Sequence, residues 1–197
     1  MADELANKYS GPVLVCGSAP CLFRDMDKAL RARPDATIIA INDVAGYINA
    51  EFVTSIHCEK MQEFRAKSLN KEIKTLSGGI YDAACDVDYW FSSCNSGGTS
   101  AGSALKIARK MGFDEIILCG CPMNGGDGYF YREAKPTQFL MQKRFGDAKP
   151  RSSSVTYHQM HLRLETQDRG FDMVKSMGGF TAELFGTPEF LEQLNDN

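Results

Sequence analysis

The chain has 197 residues, 43% of them hydrophobic, which suits a single domain over 1–197 with a substantial core. Its 22 basic and 25 acidic residues leave a formal charge of −3 without a basic run, arguing against a nucleic-acid face and for a small neutral or anionic ligand. The start MADELANKYSGPVLVCG has neither the cationic end nor the apolar run of a signal peptide, and no later stretch nears the roughly 20 apolar residues of a membrane span, so a cytoplasmic protein is expected.

Pro12–Cys16 is an apolar run that predicts a strand, and a Gly- and Pro-containing turn leads from it to Leu22, Phe23, Met26 and Leu30 at helical spacing. Strands follow at Thr37–Ile41 and 52–56; the first runs into Asn42-Asp43, the second into His57-Cys58 and a mostly polar helix over 59–69. After 73–76 and a Gly78-Gly79 turn, an aromatic strand at 89–93 enters the small polar loop SCNSGGTS, with Trp90 expected in the core. Ala101, Ala104, Leu105, Ala108 and Met111 then keep helical spacing, with Thr99 or Ser100 as N-cap and Gly112 as C-cap. The continuous apolar run 115–121 reads as a central parallel strand covered on both faces. The stretch 122–157 is long for a connection and reads as a lid with one helix at 136–145. A helix over about 157–177, a strand at 180–185 and a short helix from Pro188 complete the alternation. The expected fold is a Rossmann-like three-layer α/β sandwich with a mostly parallel central sheet.

In an open parallel sheet, ligands bind beyond the carboxyl ends of the strands. Here those ends read Gly17-Ser18-Ala19-Pro20, Asn42-Asp43, His57, Asn95-Ser96-Gly97-Gly98-Thr99-Ser100 and Pro122-Met123-Asn124. Small residues let a ligand approach the backbone, and Ser, Thr and Asn offer neutral hydrogen bonds to phosphate, ribose or base. GGTS at a helix start favours an anion such as phosphate, and an ordinary capped turn is the plainer alternative. GSAPCL carries neither the P-loop lysine nor G-x-G-x-x-G spacing.

Strand-GSAPCL, strand-AIND and SGGTSAGSALKIARKMGFDEIILCGCPM together resemble the superfamily that joins bacterial sialyltransferases to hydroxymethylpterin pyrophosphokinase-like proteins. The resemblance implies that Asn42 and Thr99-Ser100 contact the nucleotide of a donor, with Ser18 where that family usually has Asn. It implies a histidine general base before the late helix, for which His161 is the better match and His158 the next, and tyrosines such as Tyr129 and Tyr131 near the donor phosphate. Pro122 stands where the family has an acidic residue, which weighs against the metal-dependent pyrophosphokinase branch, and Cys21 replaces its usual Ser.

Seven cysteines, an odd number, fit a reduced compartment, with Cys16, Cys58, Cys119 and Cys121 reading as small buried hydrophobes. Cys119-Gly120-Cys121 lacks the second pair of a zinc site. Asp86-Val87-Asp88 matches a D-x-D metal motif but precedes a strand, so a solvated turn is expected. His158, His161 and Glu165 share helical spacing that also suits a surface polar pair or a metal face. Leu184, Phe185, Phe190, Leu191 and Leu194 either close the core or form a face for a homo-oligomer.

The reading is therefore a nucleotide-dependent transferase, a small glycosyltransferase with a nucleotide-sugar donor that needs no cofactor. Gly17, Ser18, Ala19, Pro20, Asn42, Asn95, Gly97, Gly98, Thr99 and Ser100 hold the nucleotide, and the acceptor is unspecified. The alternatives are a pyrophosphokinase-like enzyme that takes magnesium and ATP, and a binding protein without catalysis.

Overall fold

Continuous apolar strands need cover on both faces, and the computed structural model, which describes residues 3–78, 85–94, 99–124, 154–167 and 170–195, shows that cover. Among these residues, seven strands form one sheet: β1 (Pro12–Cys16), β2 (Thr37–Ile41), β3 (Phe52–Thr54), β4 (Lys74–Ser77), β5 (Tyr89–Trp90), β6 (Glu115–Cys119) and β7 (Val174–Ser176). Their order is β5-β4-β3-β2-β1-β6-β7, and every pairing is parallel. The helices are α1 (Leu22–Ala32), α2 (Met61–Lys67), α3 (Ser100–Met111), α4 (Ser154–Thr166), α5 (Gly179–Phe185) and α6 (Phe190–Asn195). This is the Rossmann-like α/β architecture expected.

Alternation along the strands sorts the side chains into two cores. Val13, Val15, Ile39, Phe52, Ile116 and Leu118 meet Ala104, Leu105 and Ala108 of α3 and Leu162 of α4. Leu14, Ala40, Val53 and Ile117 face the other way, onto Leu22 and Met26 of α1, Met61 and Phe64 of α2, and Phe190 of α6. Leu184 and Phe185 pack against the first core and Leu191 against the second, so these residues close the core; the Leu194 side chain lies outside the described residues.

Both ends of α3 are closed. The Thr99 backbone is extended and its Oγ1 accepts the Gly102 N–H at 2.8 Å, while Gly112 at φ 104° turns the chain out of the helix. The last carbonyls are met by the N-terminal segment: the Asn7 and Tyr9 N–H groups donate to the Lys110 and Met111 carbonyls, each at 2.9 Å. Lys110 Nζ then donates to Asp3 Oδ1 at 2.8 Å.

Several expectations are corrected. Residues 180–185 form helix α5 rather than a strand: Phe180 and Thr181 are buried and Leu184 and Phe185 pack inward one turn on, a helical period in a short aromatic run. The preceding helix stops at Thr166, Gly170 turns at φ 64°, and the last strand is the three-residue β7. Trp90 is only half-buried, and the fully buried Phe91 takes the core place. Cys58 is half-buried and joined to Cys85 in a disulfide, whereas Cys16, Cys119 and Cys121 are buried free thiols. Cys119 and Cys121 point into opposite cores, which removes them as joint ligands of one metal. Asp86 and Asp88 are exposed, as the expected solvated turn requires, and Asp88 in addition accepts the Thr75 N–H at 2.7 Å and pairs with Arg65 at 2.6 Å, tying the turn before β5 to β4 and α2. The predicted helix at 136–145 and most of the lid fall outside the described residues, as do Tyr129 and Tyr131. No described helix is long and apolar enough to cross a membrane.

Candidate functional site

The strand order reverses between β1 and β6, because the chain builds outward from β1 through β5 and then returns to β1's other side. In such a sheet the ligand crevice lies outside the carboxyl ends at that switch point. Gly17, Ser18, Ala19 and Pro20 leave β1 there, Asn42 leaves β2, and α3 begins at Ser100 on the same edge.

On the β2–β3 side, Asn42 is held at φ 56°, a left-handed conformation that Asn tolerates better than most residues. The Ser100 hydroxyl donates to Asn42 Oδ1 at 3.4 Å and accepts the Ile56 N–H at 3.4 Å. Both contacts sit at the long limit of hydrogen bonding, so they place these groups together without consuming their capacity. Thr54, the last residue of β3, brings a fully buried hydroxyl with no hydrogen-bond partner among the described residues. Thr99 serves as the cap of α3, so its oxygen is committed to the helix start. Asn95, Gly97 and Gly98 lie outside the described residues.

On the β1–β6 side the loops are zipped together. The Gly17 N–H donates to the Cys119 carbonyl at 2.8 Å and the Ala19 N–H to the Gly120 carbonyl at 3.0 Å. Asp25, buried in the first turn of α1, accepts the Gly120 N–H at 3.1 Å. A side chain at Gly17 would stand 2.7 Å from the Gly120 carbonyl oxygen, so this glycine has an internal reason to lack one. Above this base lies a cleft of about 430 Å³, bordered by Ala19, Pro20, Arg24, Pro122, Asn124 and Gly179. Gly179 is at φ 71° and a Cβ there would meet Pro122 at 2.6 Å, while Asn124 Oδ1 accepts the Phe180 N–H at 3.0 Å.

Helix α4 reaches this side through Gln159, whose Nε2 donates to the Met123 carbonyl at 2.8 Å. His158, next in sequence, is half-buried; burial pushes its imidazole pKa down, and His161 nearby adds to the shift. Helix α4, which carries His158 and His161, is thus tied to the segment after β6, whereas Asn42 follows β2 and Ser100 meets it there. The Glu165 side chain lies outside the described residues. Burial raises the Cys21 thiol to about 12, helped by Asp25, which makes it a poor nucleophile. Among the described residues no three His, Cys, Asp or Glu side chains converge as metal ligands.

Arg24, Asn124 and Gly178-Gly179 border the cleft but carry no motif. Arg24 and Gly179 reach it only through tertiary packing; the position of Asn124 just after β6 was the one signal in the sequence.

No family model matches the chain, and no curated protein matches its sequence. Among solved structures, it is similar in fold to the MAf glycosyltransferase from Magnetospirillum magneticum AMB-1, with a TM-score of 0.52 and 14% identity over 85% of this chain. The match covers 32% of that protein, so the chain spans about a third of its length, and the likeness is one of α/β architecture.

Proposed function

We propose that the chain is a nucleotide-dependent transferase that moves a glycosyl group from a nucleotide-sugar to an acceptor hydroxyl. The observation that carries this reading is the meeting of Asn42 and Ser100 at 3.4 Å beside the start of α3, on the ligand-binding edge of a parallel sheet. The side-chain amide and hydroxyl there suit a ribose and a phosphate. The fold likeness to a glycosyltransferase is consistent with it. In this reading Ser18 holds the nucleotide, Ala19 and Pro20 border the sugar end of the donor at the cleft, and His161, with His158 beside it, takes the acceptor proton. An imidazole is suited to that task near neutral pH.

The test is a thermal-shift screen against nucleoside mono-, di- and triphosphates and nucleotide-sugars, with magnesium or with a chelator, followed by turnover assays on any ligand that stabilises. Stabilisation and sugar transfer in chelator support the proposal. Stabilisation by a magnesium-bound triphosphate alone replaces it with diphosphate transfer from ATP, and binding without turnover replaces it with a sequestering role.

A further inference from the structure

Beyond β3 the chain sets an imidazole beside a carboxylate, with His57 Nδ1 at 3.2 Å from Glu59 Oε1. The two side chains are 43% and 62% accessible, and an exposed contact of this kind adds little to stability. The segment that carries it is nevertheless fixed at three points. Ser55 Oγ accepts the His57 N–H at 2.9 Å, the His57 carbonyl accepts the Lys60 N–H at 3.0 Å, and Cys58 is bonded to Cys85. One residue earlier, the Ile56 N–H reaches Ser100 Oγ, so the imidazole is rooted beside Asn42 and the start of α3. With Nδ1 turned to the carboxylate, Nε2 is left for a ligand.

Resting on the donor placement proposed above, we infer that His57 is the proton donor to the departing nucleotide phosphate and that Glu59 positions its ring. In the step, the acceptor oxygen bonds to the anomeric carbon and gives its proton to the base on α4. The bond from that carbon to the phosphate oxygen breaks, its electron pair stays on the oxygen, and the oxygen takes the Nε2 proton of the His57 imidazolium. Both imidazoles return to their starting states by proton exchange with water. The division of roles follows the sheet: His57 stands beyond β3, while Gln159 ties α4, the helix that carries His158 and His161, to the segment after β6, with β2 and β1 between.

The chain has three histidines, so their ring resonances are assignable from His57→Gln, His158→Gln and His161→Gln. The full chain is titrated with a nucleoside monophosphate in chelator, with binding followed by thermal shift and the rings by NMR. The expected result is a ligand-dependent movement of the His57 resonances. In transfer assays, His57→Gln lowers kcat about a hundredfold and leaves the donor KM near its original value. Glu59→Ala shifts the His57 Nδ1 signal and lowers kcat by a smaller factor, and Glu59→Gln restores the rate. Nucleotide binding with the His57 resonances unmoved overturns this inference and leaves the donor site standing. Absence of any nucleotide binding overturns both.

Discussion

The two flanks of the switch point use the same small polar residues for opposite ends. Between β1, β6 and β7 the closest of their hydrogen bonds are short and internal: Asp25 to the Gly120 N–H at 3.1 Å, Thr181 Oγ1 to the Cys121 carbonyl at 2.8 Å, and Ser176 to Thr181 at 2.7 Å. Between β2, β3 and α3 the Thr99 cap and the Ser55 bond to the His57 N–H are short, at 2.8 and 2.9 Å, but Ser100 meets Asn42 and Ile56 at 3.4 Å each. A short, buried bond has little to gain from a ligand, whereas a long one on an open edge exchanges readily for a better partner. The base of the first flank is therefore held by its own bonds, and the second flank is the one proposed to contact the nucleotide.

Substitution should separate them. The largest effect is expected at Gly17→Ala, whose methyl group has to displace the Gly120 carbonyl; a loss of roughly 2–3 kcal/mol in chemical denaturation marks the scaffold, and an unchanged midpoint would break the comparison. Asp25→Ala leaves the buried Gly120 N–H unpaired, at a cost of roughly 2 kcal/mol, which Asp25→Asn largely recovers. Across the sheet, Asn42→Gly keeps the left-handed backbone and removes only the side chain. Its expected signature is about a tenfold weaker nucleotide affinity, worth about 1.4 kcal/mol, with a denaturation midpoint close to that of the parent chain. A large stability loss there would assign Asn42 to the scaffold.

The smallest effect concerns acidity. Burial holds the His158 imidazole below its ordinary value of 6.5 in the folded chain. Below that pH the unfolded chain takes up a proton that the folded one resists, so stability falls as the solution is acidified through this range. His158→Gln should flatten this part of the stability curve, read from unfolding midpoints between about pH 7 and 5.

The central strands were legible because a parallel strand buried on both faces reads as an unbroken apolar run, as in PVLVC and EIILC. The right-hand edge was not. A three-residue strand such as Val174–Ser176 is too short for any periodicity, and GFTAELF mixes aromatic and β-branched residues that suit strands with a spacing that suits a helix. At the site, position alone pointed to Asn42, Ser100 and His57, because each follows a strand end or opens a helix. Asp25 gave no such signal: an acidic residue in a first helical turn reads as a partner of the helix dipole, and only the fold brings the Gly120 N–H to it. The Cys58–Cys85 pairing spans 27 positions without a local pattern, so the sequence offered no means of finding it.

The closure of α3 by the N-terminal segment also bears on how the protein folds. Asn7 and Tyr9 satisfy carbonyls about a hundred positions downstream, and Asp3 pairs with Lys110. The helix that opens onto the candidate site is thus finished by residues about a hundred positions upstream of its end. Such a non-local contact carries a loop-closure cost before it contributes stability. Completion of α3 is consequently coupled to docking of the segment that precedes β1, and changes introduced among residues 3–9 should be felt at a site that none of them touches.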